Sequence, residues 1–320
     1  MSEKLLEIKD LTIHYITEDG TVCAVNDLNL ALNKGETVGL VGETGAGKTT
    51  TALGLMNLVP NPPGKVIGGE IIFEGENLLK KNEHEMRKVR GNKIAMIFQD
   101  PMTSLNPIIP VRDQIAEMIL LHEKQPAKEA LKKAEDMLVM VGIGPERAKE
   151  YPHQFSGGMR QRVGIAIALA CTPELLIADE PTTALDVTIQ AQVLELMKSL
   201  KTEFDTAMIM ITHDLGIVAE ICDKVAIMYA GTVVEQAEKR ELFTNPKHPY
   251  TIGLFNSIPD IDKDESTLKP IHGAMPDPTD LPTGCPFHPR CEMAMPECAE
   301  QSPQNVEVSE NHFVKCLLFR

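Results

Sequence analysis

The run Gly42-Glu43-Thr44-Gly45-Ala46-Gly47-Lys48-Thr49 has what a polyphosphate needs, namely backbone N–H groups free to converge and a lysine beside them. Its spacing is G-x-x-x-x-G-K-[ST]. The glycines let the chain turn tightly around phosphate oxygens, and a helix opening at the lysine adds partial positive charge. In this pattern Lys48 reaches the β- and γ-phosphates, the Thr49 hydroxyl ligates Mg²⁺, and Thr50 follows on the same turn. A second chemical signal is Asp179-Glu180, which closes the apolar run Leu175-Leu176-Ile177-Ala178. Ligands of open parallel sheets bind outside the carboxyl ends of the strands. Asp179 there suits Mg²⁺, directly or through water. Glu180 suits the attacking water, as a general base or by polarising it. A third signal is Ser156-Gly157-Gly158-Met159, a serine and two glycines opening a helix just before the acidic strand.

These residues need a scaffold that brings strand ends together. Leu11-Thr12-Ile13-His14-Tyr15 and residues 25–32 alternate as strands, and Thr37-Val38-Gly39-Leu40-Val41 is a buried run that feeds the phosphate loop. A helix is expected over residues 49–58, stopped by Pro60-Asn61-Pro62-Pro63-Gly64. Residues 70–73 and 93–98 are further strands. Residues 111–141 have helical spacing, with Leu131, Ala134, Leu138 and Val141 on one face. Short apolar runs at 175–178 and 207–212 read as buried parallel strands. Between them Ile189, Val193, Leu196, Met197 and Leu200 mark an amphipathic helix. Residues 225–229 and 232–235 flank Ala230-Gly231 as a hairpin, and a short helix is expected near 250–257. Strand–helix alternation implies an α/β fold with a parallel sheet, and the helical stretch of about 100–170 reads as an insertion between two core strands.

The chain carries 31 basic and 46 acidic residues, a net charge of −15. That balance disfavours a nucleic-acid surface, which needs a basic stripe. It also repels an anionic ligand, so the site must supply its own positive potential. The longest apolar run, residues 163–171, is about half of a bilayer span and ends at Thr172-Pro173. The opening residues show no charged-then-apolar signal pattern. The expectation is a chain kept in the cytosol whose membrane role, if any, passes through a partner.

Taken in order, these motifs resemble the nucleotide-binding subunits of ATP-binding cassette (ABC) transporters, and the resemblance covers nearly the whole chain. It implies a P-loop core with an antiparallel β subdomain and an inserted helical subdomain. On this resemblance Tyr15 stacks on adenine, and residues 42–49 form the phosphate loop. Gln99, in Ile97-Phe98-Gln99-Asp100, contacts Mg²⁺ and water and senses the membrane subunit. Ser156, Gly157 and Gly158 form the signature that completes the ATP site of a second subunit. Asp186, in Ala184-Leu185-Asp186, crosses to that partner. His213, in Ile211-Thr212-His213-Asp214, is the switch histidine at the γ-phosphate. The catalytic set it implies is Glu180, His213, Gln99 and Lys48, with Thr49, Gln99 and Asp179 at Mg²⁺. One departure is Met159, where the family usually has glutamine. With Asp100-Pro101-Met102-Thr103-Ser104-Leu105-Asn106-Pro107 and His248-Pro249-Tyr250-Thr251, it resembles the oligopeptide/dipeptide-importer branch, some relatives of which take up nickel or other solutes. Arg160 and Arg162 are expected in surface salt bridges.

Cys23, Cys171 and Cys222 sit singly in apolar contexts, as buried small hydrophobes do. The other four, Cys285, Cys291, Cys298 and Cys316, cluster in a proline-rich segment. They could hold zinc, an iron–sulfur cluster or nothing. The close Cys pair of structural zinc sites is missing, and so are the common ferredoxin spacings. In the importer branch some members carry a [4Fe–4S] cluster in such an extension, and that resemblance favours the cluster. His288 is expected as an exposed loop histidine.

The implied organisation is an ABC nucleotide-binding domain over residues 1–250 and a cysteine-bearing extension over 251–320. The implied activity is ATP hydrolysis that powers peptide uptake through head-to-tail pairing with a second, related ATPase chain. The implied partners are two membrane permeases and, indirectly, a solute-binding protein, at the cytoplasmic face of the cell membrane. The competing classes are a nickel or small-solute importer subunit, a soluble non-transport ABC ATPase, and a regulatory iron–sulfur protein that uses ATP as a signal.

Overall fold

The computed structural model describes residues 3–100, 104–183, 185–257 and 270–320. Pro101, Met102, Thr103 and Ala184, which carry part of the family resemblance, lie outside the described residues.

In chain order the first strands are β1 (Lys4–Thr17), β2 (Gly20–Asn33) and β3 (Thr37–Val41), followed by helix α1 (Lys48–Leu55). Then come β4 (Gly64–Phe73), β5 (Glu76–Asn77), α2 (Glu83–Val89) and β6 (Ile94–Ile97). The helices α3 (Val111–His122), α4 (Ala127–Met140) and α5 (Gly157–Leu169) precede β7 (Leu175–Asp179), α6 (Val187–Phe204) and β8 (Ala207–Thr212). The remainder is α7 (Leu215–Ile221), β9 (Lys224–Tyr229), β10 (Thr232–Glu238), α8 (Lys239–Thr244), α9 (Pro249–Asn256), β11 (Val306–Ser309) and β12 (His312–Val314).

The chain divides into two compact units. One contains residues 77–211 with short pieces near the start of the chain. Its β6, β7 and β8 are parallel, with Ile94 opposite Leu175 and Leu175 opposite Ala207. All five residues of β7 are buried, which is why the sequence there is a continuous apolar run with no alternation. The expected single helical stretch from 111 to 141 is two helices, because Pro126 forces the preceding residue out of helical geometry and restarts the chain.

The other unit contains residues 6–31, 38–76 and 212–320. In it β4 runs antiparallel to β1, with Leu6 opposite Phe73. Strand β9 is parallel to β3, and β10 turns back on β9. The turn between β9 and β10 uses Ala230 at φ 45° and Gly231 at φ 80°, the left-handed pair that matches strand twist in a two-residue hairpin. Helix α1 ends at Leu55, earlier than the proline run suggests, because Asn57 takes a left-handed φ of 49°. A hairpin absent from the sequence expectation, β11–β12, extends this sheet, and β12 pairs with β10 through Glu235 and Val314. Its anchor is a buried carboxylate. Glu235 is 1% exposed and accepts the backbone N–H groups of Lys247 and His248 at 2.7 and 2.9 Å, and it lies 2.7 Å from His312 Nε2.

Candidate functional site

The phosphate loop follows β3, and glycine is forced at two of its positions. A Cβ on Gly42 would lie 2.2 Å from the Met228 carbonyl oxygen, and one on Gly47 would lie 2.2 Å from that of Ala24. Gly47 also has φ 100° and caps α1, while at Gly45 the space around a Cβ is open. Lys48 is the first residue of α1 and 6% exposed. Its Nζ donates to the carbonyls of Gly42 and Glu43 at 2.7 and 3.0 Å, which holds the ammonium across the mouth of the loop. Ala46 is fully buried, and its carbonyl accepts the Gly231 N–H at 2.9 Å, pinning the loop to the β9–β10 turn. Thr44, Gly45 and Thr49 face outward. The Tyr15 hydroxyl lies 3.5 Å from that of Thr50 on α1.

In the other unit, Asp179 ends β7 at 2% exposure. Glu180, the next residue, takes a left-handed φ of 45°, a conformation costly for a residue with a Cβ and held here by its surroundings. Its N–H donates to the Ile211 carbonyl at 2.8 Å. Its Oε2 accepts from Gln99 Nε2 at 3.1 Å and from Thr183 Oγ1 at 2.9 Å. The sequence-predicted Gln99 and Glu180 are thus brought together, with Thr183 as a partner the sequence did not reveal. His213, which belongs to the unit of the phosphate loop, is exposed, and Asp214 beside it caps α7 through the N–H groups of Gly216 and Ile217.

Ser156 caps α5 by accepting the Met159 N–H at 3.4 Å, and both Ser156 and Gly157 are exposed. Gly158 is buried, and a Cβ there would lie 2.4 Å from Ile189 Cγ2 of α6. The departure at Met159 has a local partner, because Arg147 Nη1 donates to its Sδ at 3.1 Å while the guanidinium stacks 4.6 Å over Phe155. Arg162 binds neutral oxygens, the Val141 carbonyl and Gln192 Oε1, and not the carboxylate expected for it. Arg160 Nε donates to the Pro152 carbonyl. Asp186, exposed, caps α6 by accepting the Ile189 N–H at 3.0 Å.

The C-terminal cysteines converge. Cys285, Cys291, Cys298 and Cys316 are all free thiols, and all four line one small cavity, of about 10 Å³ as the side chains stand, with His248, Phe287 and His288. Burial, chiefly, pushes the Cys285 thiol up to about 11, and Cys291 and Cys316 are shifted in the same direction. As the side chains stand, no group of three or more His, Cys, Asp or Glu among the described residues could hold a metal ion. His288 is half-buried with Nδ1 3.0 Å from the Cys285 carbonyl, in contrast to the exposed histidine expected. Cys171 and Cys222 are buried as expected, but Cys23 is partly exposed.

The cysteine segment also reaches the phosphate loop. Phe287 packs edge-on against Tyr229 and tilted against Tyr250, at centroid distances of 5.2 and 5.3 Å. The Tyr250 hydroxyl accepts the Glu43 N–H at 3.1 Å. Arg290, next to Cys291, donates to the Glu43 carboxylate. Neither Arg290 nor Tyr250 was identified as a site residue from the sequence, although the His248-Pro249-Tyr250 string was the available signal.

Residues 25–183 match the ABC transporter family, and residues 234–298 match the oligopeptide/dipeptide transporter C-terminal region. The oligopeptide transport ATP-binding protein OppD of Bacillus subtilis is 52% identical over 98% of this chain and 89% of its own length. The dipeptide transport ATP-binding protein DppD of the same organism is 49% identical over 99% of this chain and 95% of its own. Among solved structures, the dimeric ATP-binding cassette MJ0796 in a post-hydrolysis state bound to ADP and Pi is 27% identical, with a TM-score of 0.66 over 73% of this chain and 99% of its own. A phosphate loop with a preset lysine, a glutamate held by a glutamine, and an outward-facing Ser-Gly helix start thus occur in one chain. The chain belongs to the ATP-binding proteins of ABC transporters, in the branch that bears the oligopeptide/dipeptide transporter C-terminal region.

Proposed function

We propose that this chain is the ATP-hydrolysing subunit that powers uptake of oligopeptides or dipeptides by an ABC importer. One combination carries the reading: an intact phosphate loop and Glu180 arrangement in the same chain as the 234–298 region. ATP sits on residues 42–49 with Tyr15 at the adenine and Thr50 nearby. Lys48 exchanges its carbonyl partners for phosphate oxygens. Glu180 takes a proton from water as that oxygen attacks the γ-phosphorus and the bond to ADP breaks. Gln99 orients Glu180, and His213 contacts the γ-phosphate. Thr49, Gln99 and Asp179 offer the oxygen donors that Mg²⁺ takes, and the ion would neutralise phosphate charge.

Ser156, Gly157 and Gly158 serve ATP held by a second, related ATPase chain, and Asp186 lies at that contact. The exposed helix start supports this arrangement. Two permeases and, indirectly, a solute-binding protein complete the assembly. The chain acts at the cytoplasmic membrane face. None of its helices among the described residues is long and apolar enough to cross a membrane. Residues 251–320 form an extension whose four cysteines hold an iron–sulfur cluster. Four free thiols around one cavity supply the soft donors such a cluster takes.

The test is uptake of labelled oligopeptide into right-side-out proteoliposomes that carry the assembled transporter, with ATP trapped inside and the solute-binding protein outside. ATP-dependent uptake that Glu180→Gln abolishes supports the reading. An assembled, ATP-hydrolysing complex that moves no peptide overturns the cargo class, and failure of the chain to co-purify with any permease overturns the transport role.

A further inference from the structure

His248 is fully buried and belongs to the cavity of the four thiols. Its Nδ1 accepts the Tyr250 N–H at 3.0 Å as the cap of α9. A backbone N–H can only donate, so Nδ1 carries no proton. The ring proton is therefore on Nε2. That atom is buried and has no hydrogen-bond partner.

Buried donors are rarely left without an acceptor, and an orphaned one is destabilising. The ring cannot turn to relieve it without breaking the α9 cap. Around it are Phe287, at a centroid distance of 5.8 Å, and the sulfur-lined space. A sulfur of whatever the thiols hold is the acceptor that the cavity chemistry supplies.

We propose that His248 is a positioning residue for the cysteine site, donating its Nε2–H to a sulfur of the group held by Cys285, Cys291, Cys298 and Cys316. This rests on the cluster reading above. A hydrogen bond to a cluster or ligand sulfur stabilises the more negative, reduced state and raises the reduction potential. The same turn carries Tyr250, whose hydroxyl holds the Glu43 N–H. His248-Pro249-Tyr250 thus has one end at the cysteine site and the other at the phosphate loop.

The test uses the full chain purified without oxygen, with ¹⁵N-histidine, and its cluster reduced by dithionite. Pulsed electron paramagnetic resonance of the wild type is expected to show a weak ¹⁵N coupling. His248→Asn keeps an oxygen acceptor for the Tyr250 N–H but loses the distant N–H. It is expected to lose that coupling and to shift the midpoint potential to more negative values. His288→Ala, which removes the other cavity histidine, is expected to keep the coupling. A wild type without nitrogen coupling overturns the proposal, as does a coupling that disappears with His288→Ala. An unchanged potential in an iron-loaded His248→Asn overturns it while leaving the cluster reading intact. An iron-free wild type removes the cluster reading itself and the proposal with it. If His248→Asn fails to load iron, the wild-type and His288→Ala spectra still decide.

Discussion

Arg290 grips both carboxylate oxygens of Glu43, with Nη1 at 3.1 and 3.3 Å and Nη2 at 3.3 Å. The arginine side chain is 7% exposed and the glutamate 30%. Its Nε is spent on the His272 carbonyl at 3.1 Å, which fixes the plane of the guanidinium. Glu43 is the second residue of a loop that cradles an anion, so its carboxylate is a liability there. A residue some 250 positions later in the chain neutralises it.

Arg290→Gln should therefore weaken ATP binding. An uncompensated carboxylate several ångströms from the phosphates costs about 1–2 kcal/mol at an effective dielectric near 20, roughly a tenfold rise in Kd. Glu43→Gln in the same chain should restore affinity, because it removes the charge that Arg290 offsets. Titration calorimetry on the single and double variants checks this. An Arg290→Gln chain that binds ATP like wild type would show that the pair only fastens the C-terminal segment.

Glu180→Gln keeps the side-chain shape and the Gln99 and Thr183 contacts within reach but removes the base. Hydrolysis in the assembled complex should fall by about 10²–10⁴-fold with ATP binding retained. Size-exclusion chromatography with ATP should then show accumulation of the closed ATPase pair, and phosphate release gives the rate. Turnover near wild type would remove Glu180 from the role given to it.

The motifs were legible because each is local. The phosphate loop, the acidic strand end and the Ser156 cap are read within a few residues, and buried strands such as β7 announce themselves as apolar runs. What could not be read were long-range pairings. Arg290 with Glu43, Tyr250 with the Glu43 N–H, and Glu235 with His312 join residues far apart in sequence, with no period to reveal them. The β11–β12 hairpin gives little signal because its strands have only four and three residues and β11 has no buried residue to mark a face. The convergence of four cysteines was invisible for the same reason, since their spacings match no common ligand pattern while the fold closes them on one cavity.

Cys171 gives a pH test in the helical unit. Burial, with Glu123 nearby, pushes its thiol up to about 11. Unfolded, it loses its proton near pH 9; folded, it keeps it until about pH 11. Between those values the folded state binds more protons, so stability falls as pH rises, by about 1.4 kcal/mol per unit from this group. Cys171→Ala should flatten that slope in urea unfolding at pH 8, 9, 10 and 11, after a uniform loss from the missing sulfur. In the same native protein at pH 8 a maleimide should label Cys23, which is partly exposed, well before Cys171. Equal labelling of the two would contradict the burial on which the pH argument stands.

Gly158 tests how the signature helix is seated. A Cβ there would meet Ile189 Cγ2 at 2.4 Å, and Ile189 is β-branched, so that methyl cannot swing away cheaply. Gly158→Ala must then push α5 from α6 or force Ile189 off its rotamer, at a cost of about 1–3 kcal/mol. Ile189→Ala removes the offending methyl at the expense of its own packing. The double variant should therefore be less destabilised than the sum of the two single changes. Thermal unfolding of all four chains gives the coupling directly. The displacement should also move Ser156 and Gly157, which lie on the preceding turn, so ATP hydrolysis by the assembled pair should fall in Gly158→Ala and recover in the double variant. Additive destabilisation would mean that α5 has room to move, and that the glycine is required for the approach of the partner's nucleotide and not for helix packing.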